Sequence, residues 1–102
     1  YGLPAIVGAK IARPSVPVVG FAGDGAFGIA VTELTAIGRP EWPAITMVVF
    51  RNYQWGAEKR NSTLWYDDNF VGTELSDRVS YAGIARACGL DGVVARTMGE
   101  LT

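Results

Sequence analysis

The stretch VPVVGFAGDGAFGIAV, residues 16–31, decides the fold. A short β-branched apolar run gives way to Gly23, Gly25 and Gly28 around the acid Asp24, and helical spacing follows. Residues 16–22 are apolar on both faces, as a central strand of a parallel sheet is. A glycine-rich turn from strand to helix lets the backbone approach a phosphate, and the helix start adds N–H donors and a favourable dipole.

The pattern continues on both sides of this stretch. Residues 3–12, LPAIVGAKIA, carry Pro4 where a first-turn proline is tolerated and predict a helix that ends before Arg13 and Pro14. Residues 27–38 predict a second helix closed by Gly38 and Pro40, and residues 44–50 a second buried strand. Residues 80–89 predict a helix with Ser80 as its cap and Gly89 at its end, and residues 92–96, GVVAR, a third strand. Helices alternating with apolar strands imply an α/β fold, a parallel sheet with helices on both faces and right-handed crossovers. Ligands in such sheets bind outside the carboxyl ends of the strands, which here means the loops 23–26 and 51–57. Residues 58–79 show no clear period, are too long for a simple connection, and are expected to cover or border the site.

Composition narrows the function. The chain has 102 residues, 49% of them hydrophobic, which is enough for a core and for one domain. Nine basic and ten acidic residues leave a net charge of -1 with no block of like charge, so neither nucleic acid nor a membrane surface is an expected partner. The longest apolar runs fall far short of the ~20 residues a bilayer span needs, and a cytoplasmic setting is expected. No histidine is present, which excludes Ser-His, Cys-His and zinc-histidine chemistry from this segment. The single cysteine, Cys88, lies in the apolar stretch IARACGL and reads as a small core residue rather than a nucleophile. The first residue is Tyr1, and the closing MGELT reads as the opening of a helix, so a piece of a longer chain is expected.

Which phosphate the turn serves depends on Asp24. Gly23-x-Gly25-x-x-Gly28 matches the dinucleotide fingerprint, but that fingerprint wants an acid at the end of the next strand. Here the strand ends in Phe50, Arg51 and Asn52. A carboxylate among the glycines also repels a bare pyrophosphate, unless a divalent cation lies between them. Magnesium takes six oxygens, typically one or two from protein and the rest from phosphate and water. Asn52, separated from Gly25 by residues 26–51, offers an amide oxygen from the neighbouring strand end. Arg51 beside it is either a strand-end cation or an anion-facing group.

GDG followed by an asparagine after an apolar strand resembles the thiamine diphosphate motif of the decarboxylase and acetolactate synthase superfamily. The upstream YGLPAIVGAKIA is similar to what precedes that motif. The usual paired asparagines are here Arg51 and Asn52, so only the second is matched. The resemblance implies a partial thiamine diphosphate-binding fold, with residues 1–102 as part of a C-terminal cofactor domain. It implies magnesium held by Asp24, Asn52 and the carbonyl of Gln54, and diphosphate lined by Gly23, Gly25, Ala26 and Phe27. The glutamate that activates the cofactor is expected outside this segment, on a partner subunit. The intact protein is therefore expected to be a homodimer or homotetramer, and the isolated segment inactive. Glu33 reads as a surface or interface charge.

The stretch 50–75, FRNYQWGAEKRNSTLWYDDNFVGTEL, is more individual than the cofactor motif. It closely resembles the sulfoacetaldehyde acetyltransferase family, and the likeness runs through the whole chain. That resemblance implies sulfoacetaldehyde and phosphate as substrates, and acetyl phosphate and sulfite as products. Both substrates are anions, so the pocket is expected to hold cations, with Arg51 the first candidate and Lys59 and Arg60 read as solvated. Trp55, Trp65 and Tyr66 either wall the pocket or a subunit contact, or serve packing. Another thiamine diphosphate enzyme, such as acetolactate synthase, and a non-catalytic phosphate-binding module remain the alternatives.

Overall fold

A computed structural model describes residues 1–101. Its centre is a parallel pair, β1 (Val19–Gly23) and β2 (Thr46–Phe50), in register from Val19 opposite Thr46 to Gly23 opposite Phe50. Parallel neighbours require a crossover. It is supplied by α2 (Asp24–Ile29), a 3-10 turn at Val31–Glu33, and α3 (Leu34–Ile37), which closes at Gly38. The helix predicted over 27–38 thus begins three residues early, at Asp24, and breaks at Ala30. Gly28 and the β-branched pair Val31 and Thr32 are weak helix formers, which accounts for the break.

α1 (Gly2–Ala12) precedes the sheet and matches the predicted helix. Lys10 in its last turn is buried and donates from Nζ to the Val16 carbonyl at 2.8 Å, fixing the approach to β1. The core joins Leu3, Phe27, Leu34 and Ile37, packed against Ala22, Met47 and Val49 of the sheet and Tyr81, Ile84 and Cys88 of the last helix. Burying each large side chain of this kind contributes about 1.5–3 kcal/mol. Helices therefore cover the sheet face that carries Ala22, Met47 and Val49. On the opposite face Phe21 and Phe50 stack with ring centroids 6.2 Å apart and remain 66% and 63% exposed.

α5 (Tyr81–Ala87) starts as its sequence predicts, with the Ser80 hydroxyl accepting from the Gly83 N–H at 3.1 Å. It stops through Gly89 at φ +82°, where the N–H groups of Gly89 and Leu90 donate to the carbonyls of Arg86 and Ala85, both at 3.0 Å. That pair of bonds closes a helix end and requires the left-handed conformation glycine tolerates. Cys88, half-buried at this end, packs against the core as expected.

Two expectations fail. Residues 92–96 form no strand among the described residues. Arg86 donates to the Gly92 carbonyl and ties the segment to α5, and Val93 and Val94 line a cavity of about 800 Å³ together with Met47 and Val49 of β2. The stretch 58–79, where no clear period is legible and no helix is predicted, contains most of α4 (Gly56–Trp65). α4 buries no residue, so it carries no apolar stripe that periodicity could detect. The closing stretch forms a 3-10 turn at Met98–Glu100, with Thr97 and Glu100 in a reciprocal cap, and Thr102 lies outside the described residues. No described helix is long and apolar enough to cross a membrane.

Candidate functional site at the strand ends

Because β1 and β2 are parallel and in register, the turns after Gly23 and after Phe50 leave the same sheet edge. Asp24 stands between them and is 2% exposed. Its Oδ1 accepts from the Gly25 N–H at 3.0 Å and its Oδ2 from the Tyr53 N–H at 2.8 Å, so one carboxylate joins the two turns. Asn52 folds back locally, its Oδ1 accepting from the Gln54 N–H at 3.2 Å. Beyond it, the N–H of Trp55 donates to Thr73 and the N–H of Leu75 to Tyr53, each at 2.8 Å. This antiparallel bridge flanks Gln54 and Glu74 and leaves the Gln54 carbonyl out of the ladder.

A pocket of about 320 Å³ opens here, lined by Gly23, Asp24, Gly25 and Ala26 from the first turn and by Asn52 and Gln54 from the second. The remaining wall is Trp55 and the first turn of α4, Gly56 to Glu58. Sequence reasoning assigned no role to these last three. Their contiguity with Asn52 and an acid, Glu58, placed for a first helical turn were the signals available. Trp55 lies against Gly25 so closely that a Cβ on Gly25 would sit 2.9 Å from the indole Cε3. Glycine is the residue this approach permits.

Phe27 and Arg51 are not brought into this pocket. The Phe27 ring is buried in the core, meeting Tyr81 edge-on at 5.4 Å, so its side chain packs and only its backbone is left to face a ligand at the start of α2. Arg51 lies over the Tyr53 ring, 4.3 Å from its centroid, and donates to the Asp77 carbonyl at 2.6 Å. Tyr81 braces the turn from behind, its hydroxyl donating to the Asp24 carbonyl at 3.2 Å. Burial, and after it the Asp24 charge, raise the Tyr81 phenol above its ordinary 10.0 against an opposing pull from Arg51, so it remains a donor at neutral pH. Lys59 pairs with Glu74, Arg60 is exposed, and Trp65 and Tyr66 are exposed away from the pocket. Glu33 is exposed on the 3-10 turn.

The donor set suits a hard divalent cation. Among the described residues no group of three or more His, Cys, Asp or Glu converges, and the pocket is lined by two acidic residues, Asp24 and Glu58, with Asn52 and Gln54. Oxygen donors of this kind, with no thiolate or imidazole among them, fit magnesium better than a soft metal. Neither ion pair among the described residues, Arg39 with Glu41 or Lys59 with Glu74, involves Asp24. A cation in this pocket would give the Asp24 carboxylate the counter-charge that neither ion pair supplies.

Fold and pocket together define an α/β domain with its candidate site at the carboxyl ends of parallel strands. Over residues 1–102 the sequence matches the family described as "Thiamine pyrophosphate enzyme, C-terminal TPP binding domain", and the chain belongs to that family. It is 87% identical over 102 residues to a sulfoacetaldehyde acetyltransferase of Rhodobacter capsulatus, covering 100% of this chain and 17% of the relative. It is 83% identical to a sulfoacetaldehyde acetyltransferase of Roseovarius nubinhibens, with the same 100% and 17% coverage. The chain thus spans 17% of the length of these curated relatives. Among solved structures it is similar to the Rhodococcus jostii RHA1 thiamine diphosphate-dependent 4-hydroxybenzoylformate decarboxylase, at a TM-score of 0.88 and 26% identity, over 98% of this chain and 19% of the other.

Proposed function

We propose that this segment is the magnesium- and thiamine diphosphate-binding portion of a sulfoacetaldehyde acetyltransferase, acting on sulfoacetaldehyde and phosphate to give acetyl phosphate and sulfite. The observation that carries the reading is one pocket joining the Asp24 carboxylate, the Asn52 amide and Gln54 at the ends of two parallel strands. The choice among thiamine diphosphate enzymes is supported by the 87% identity to a protein of that name.

Each residue has a definite task in this reading. Asp24 supplies a carboxylate, Asn52 an amide oxygen and Gln54 a backbone carbonyl to magnesium. Gly23, Gly25 and Ala26 let the diphosphate reach the backbone without meeting a larger side chain. Trp55 closes one wall of the pocket. When bound, the cofactor supplies a carbanion nucleophile and an electron sink next to the carbonyl carbon of the substrate. The residues described here hold and orient, and the proton-moving glutamate belongs to another part of a homodimeric or homotetrameric enzyme.

The test is sulfite release by the full-length protein. Sulfite should appear from sulfoacetaldehyde only with thiamine diphosphate, magnesium and phosphate all present, in step with acetyl phosphate. Carbon dioxide release from a 2-oxo acid, with no sulfite, would assign the site to a carboligase instead.

A further inference from the structure

Resting on that reading, we propose that Tyr53 is a positioning residue whose left-handed backbone builds the cation site. Tyr53 has φ 62°, in the region that most side chains avoid and that glycine, asparagine and aspartate enter more readily. Its neighbours in sequence, Asn52 and Gln54, are the two pocket residues that join Asp24 from the second turn. A left-handed residue between them reverses the chain at that point. It lets the Gln54 N–H fold back to the Asn52 Oδ1 while the Tyr53 N–H reaches the Asp24 Oδ2. An extended residue at position 53 would break one of these two bonds.

The surroundings hold Tyr53 in this conformation from three directions. The N–H is bound to a carboxylate that is itself 2% exposed, and the carbonyl accepts from Leu75 at 2.8 Å. The ring, though 42% exposed, lies under the Arg51 guanidinium, which is anchored on the Asp77 carbonyl. Strained backbone persists where the structure around it over-determines it, and such residues gather at ligand sites. The sequence reading passed over Tyr53, since neither its side chain nor its spacing suggests a ligand.

The experiment ranks substitutions by their tolerance of the left-handed region rather than by size or aromaticity. In the full-length protein, thiamine diphosphate binding is measured by calorimetry across a magnesium titration for Tyr53→Gly, Tyr53→Asn and Tyr53→Val. Glycine and asparagine, which lose only the ring's contact with Arg51, should keep the half-saturating magnesium within about fivefold of the parent, whereas valine should raise it about tenfold or more, equal to about 1.4 kcal/mol. The melting temperature, recorded without magnesium, separates this effect from loss of fold. If valine matches the parent, neither the left-handed backbone nor the ring matters, and if glycine and asparagine are impaired tenfold or more the ring rather than the backbone does; either result overturns the proposal. Should Tyr53→Val not fold, the glycine and asparagine variants decide alone by the same limits. Magnesium-independent binding by the parent would overturn the proposed function itself, and with it this role.

Discussion

Replacing Gly25 with alanine probes the pocket wall directly. The added Cβ would lie 2.9, 3.1 and 3.2 Å from Cε3, Cζ3 and Cδ2 of Trp55, against 3.4 Å or more for ordinary contact, so about half an ångström must be found. Trp55 cannot yield freely, because its N–H is bound to Thr73 at 2.8 Å and its carbonyl to the N–H of Lys59 at 2.8 Å. Overpacking of this kind costs about 1–3 kcal/mol. Alanine recovers about 0.5–1 kcal/mol over glycine within a helix, and Gly25 is the second residue of α2. The net expectation is a loss of about 1 kcal/mol, in a range of about 0–2.5 kcal/mol. With Trp55→Ala as background the clash is gone, and the sign should reverse to a gain of about 0.5–1 kcal/mol. Native-state hydrogen exchange over residues 24–57 of the full-length protein without cofactor reads the local opening free energies of the four variants. The expected coupling exceeds the 0.3–0.5 kcal/mol scatter of independent sites several-fold. Equal penalties for Gly25→Ala in both backgrounds would refute the steric argument.

Two further outcomes follow from single contacts. Ser80→Ala removes the cap bond to the Gly83 N–H, so α5 should lose about 1 kcal/mol and its first-turn amides should exchange about fivefold faster; unchanged exchange there would count against the cap. Arg51→Ala removes a guanidinium that lies over Tyr53, and should raise the magnesium requirement by about two- to fivefold, the 0.5–1 kcal/mol of an exposed cation–π contact, with the KM for phosphate unchanged. A rise in the phosphate KM alone would return Arg51 to the acceptor role that its sequence position suggested.

What the sequence disclosed, it disclosed through short-range rules. Asp24 and Asn52 were legible because a parallel pair of buried strands must set its two C-terminal turns side by side, and the register of Gly23 opposite Phe50 does this. Ser80 and Gly89 were legible because helix ends have few chemical solutions. The failures came where tertiary context overrides pattern. GVVAR has strand composition, yet Arg86 ties it to α5 instead of leaving it beside β2. α4 escaped detection because a helix polar on all sides has no period to read. The left-handed turn at Tyr53 has no signature in residue type, since it is imposed by the bonds that converge on it.

Calorimetric titration of thiamine diphosphate into the full-length protein, with magnesium or with chelator, for the parent and for Asp24→Asn, bears most directly on the cation bridge. Asparagine keeps the size of Asp24 and can still accept one of the two N–H bonds, but it cannot supply the charge. The parent should bind with magnesium and at least about a hundredfold more weakly in chelator, and Asp24→Asn should show the weak affinity in both, a gap of about 2.7 kcal/mol. Equal affinity with and without chelator, or an Asp24→Asn variant that binds as the parent does, would contradict a magnesium ion held between Asp24 and a diphosphate.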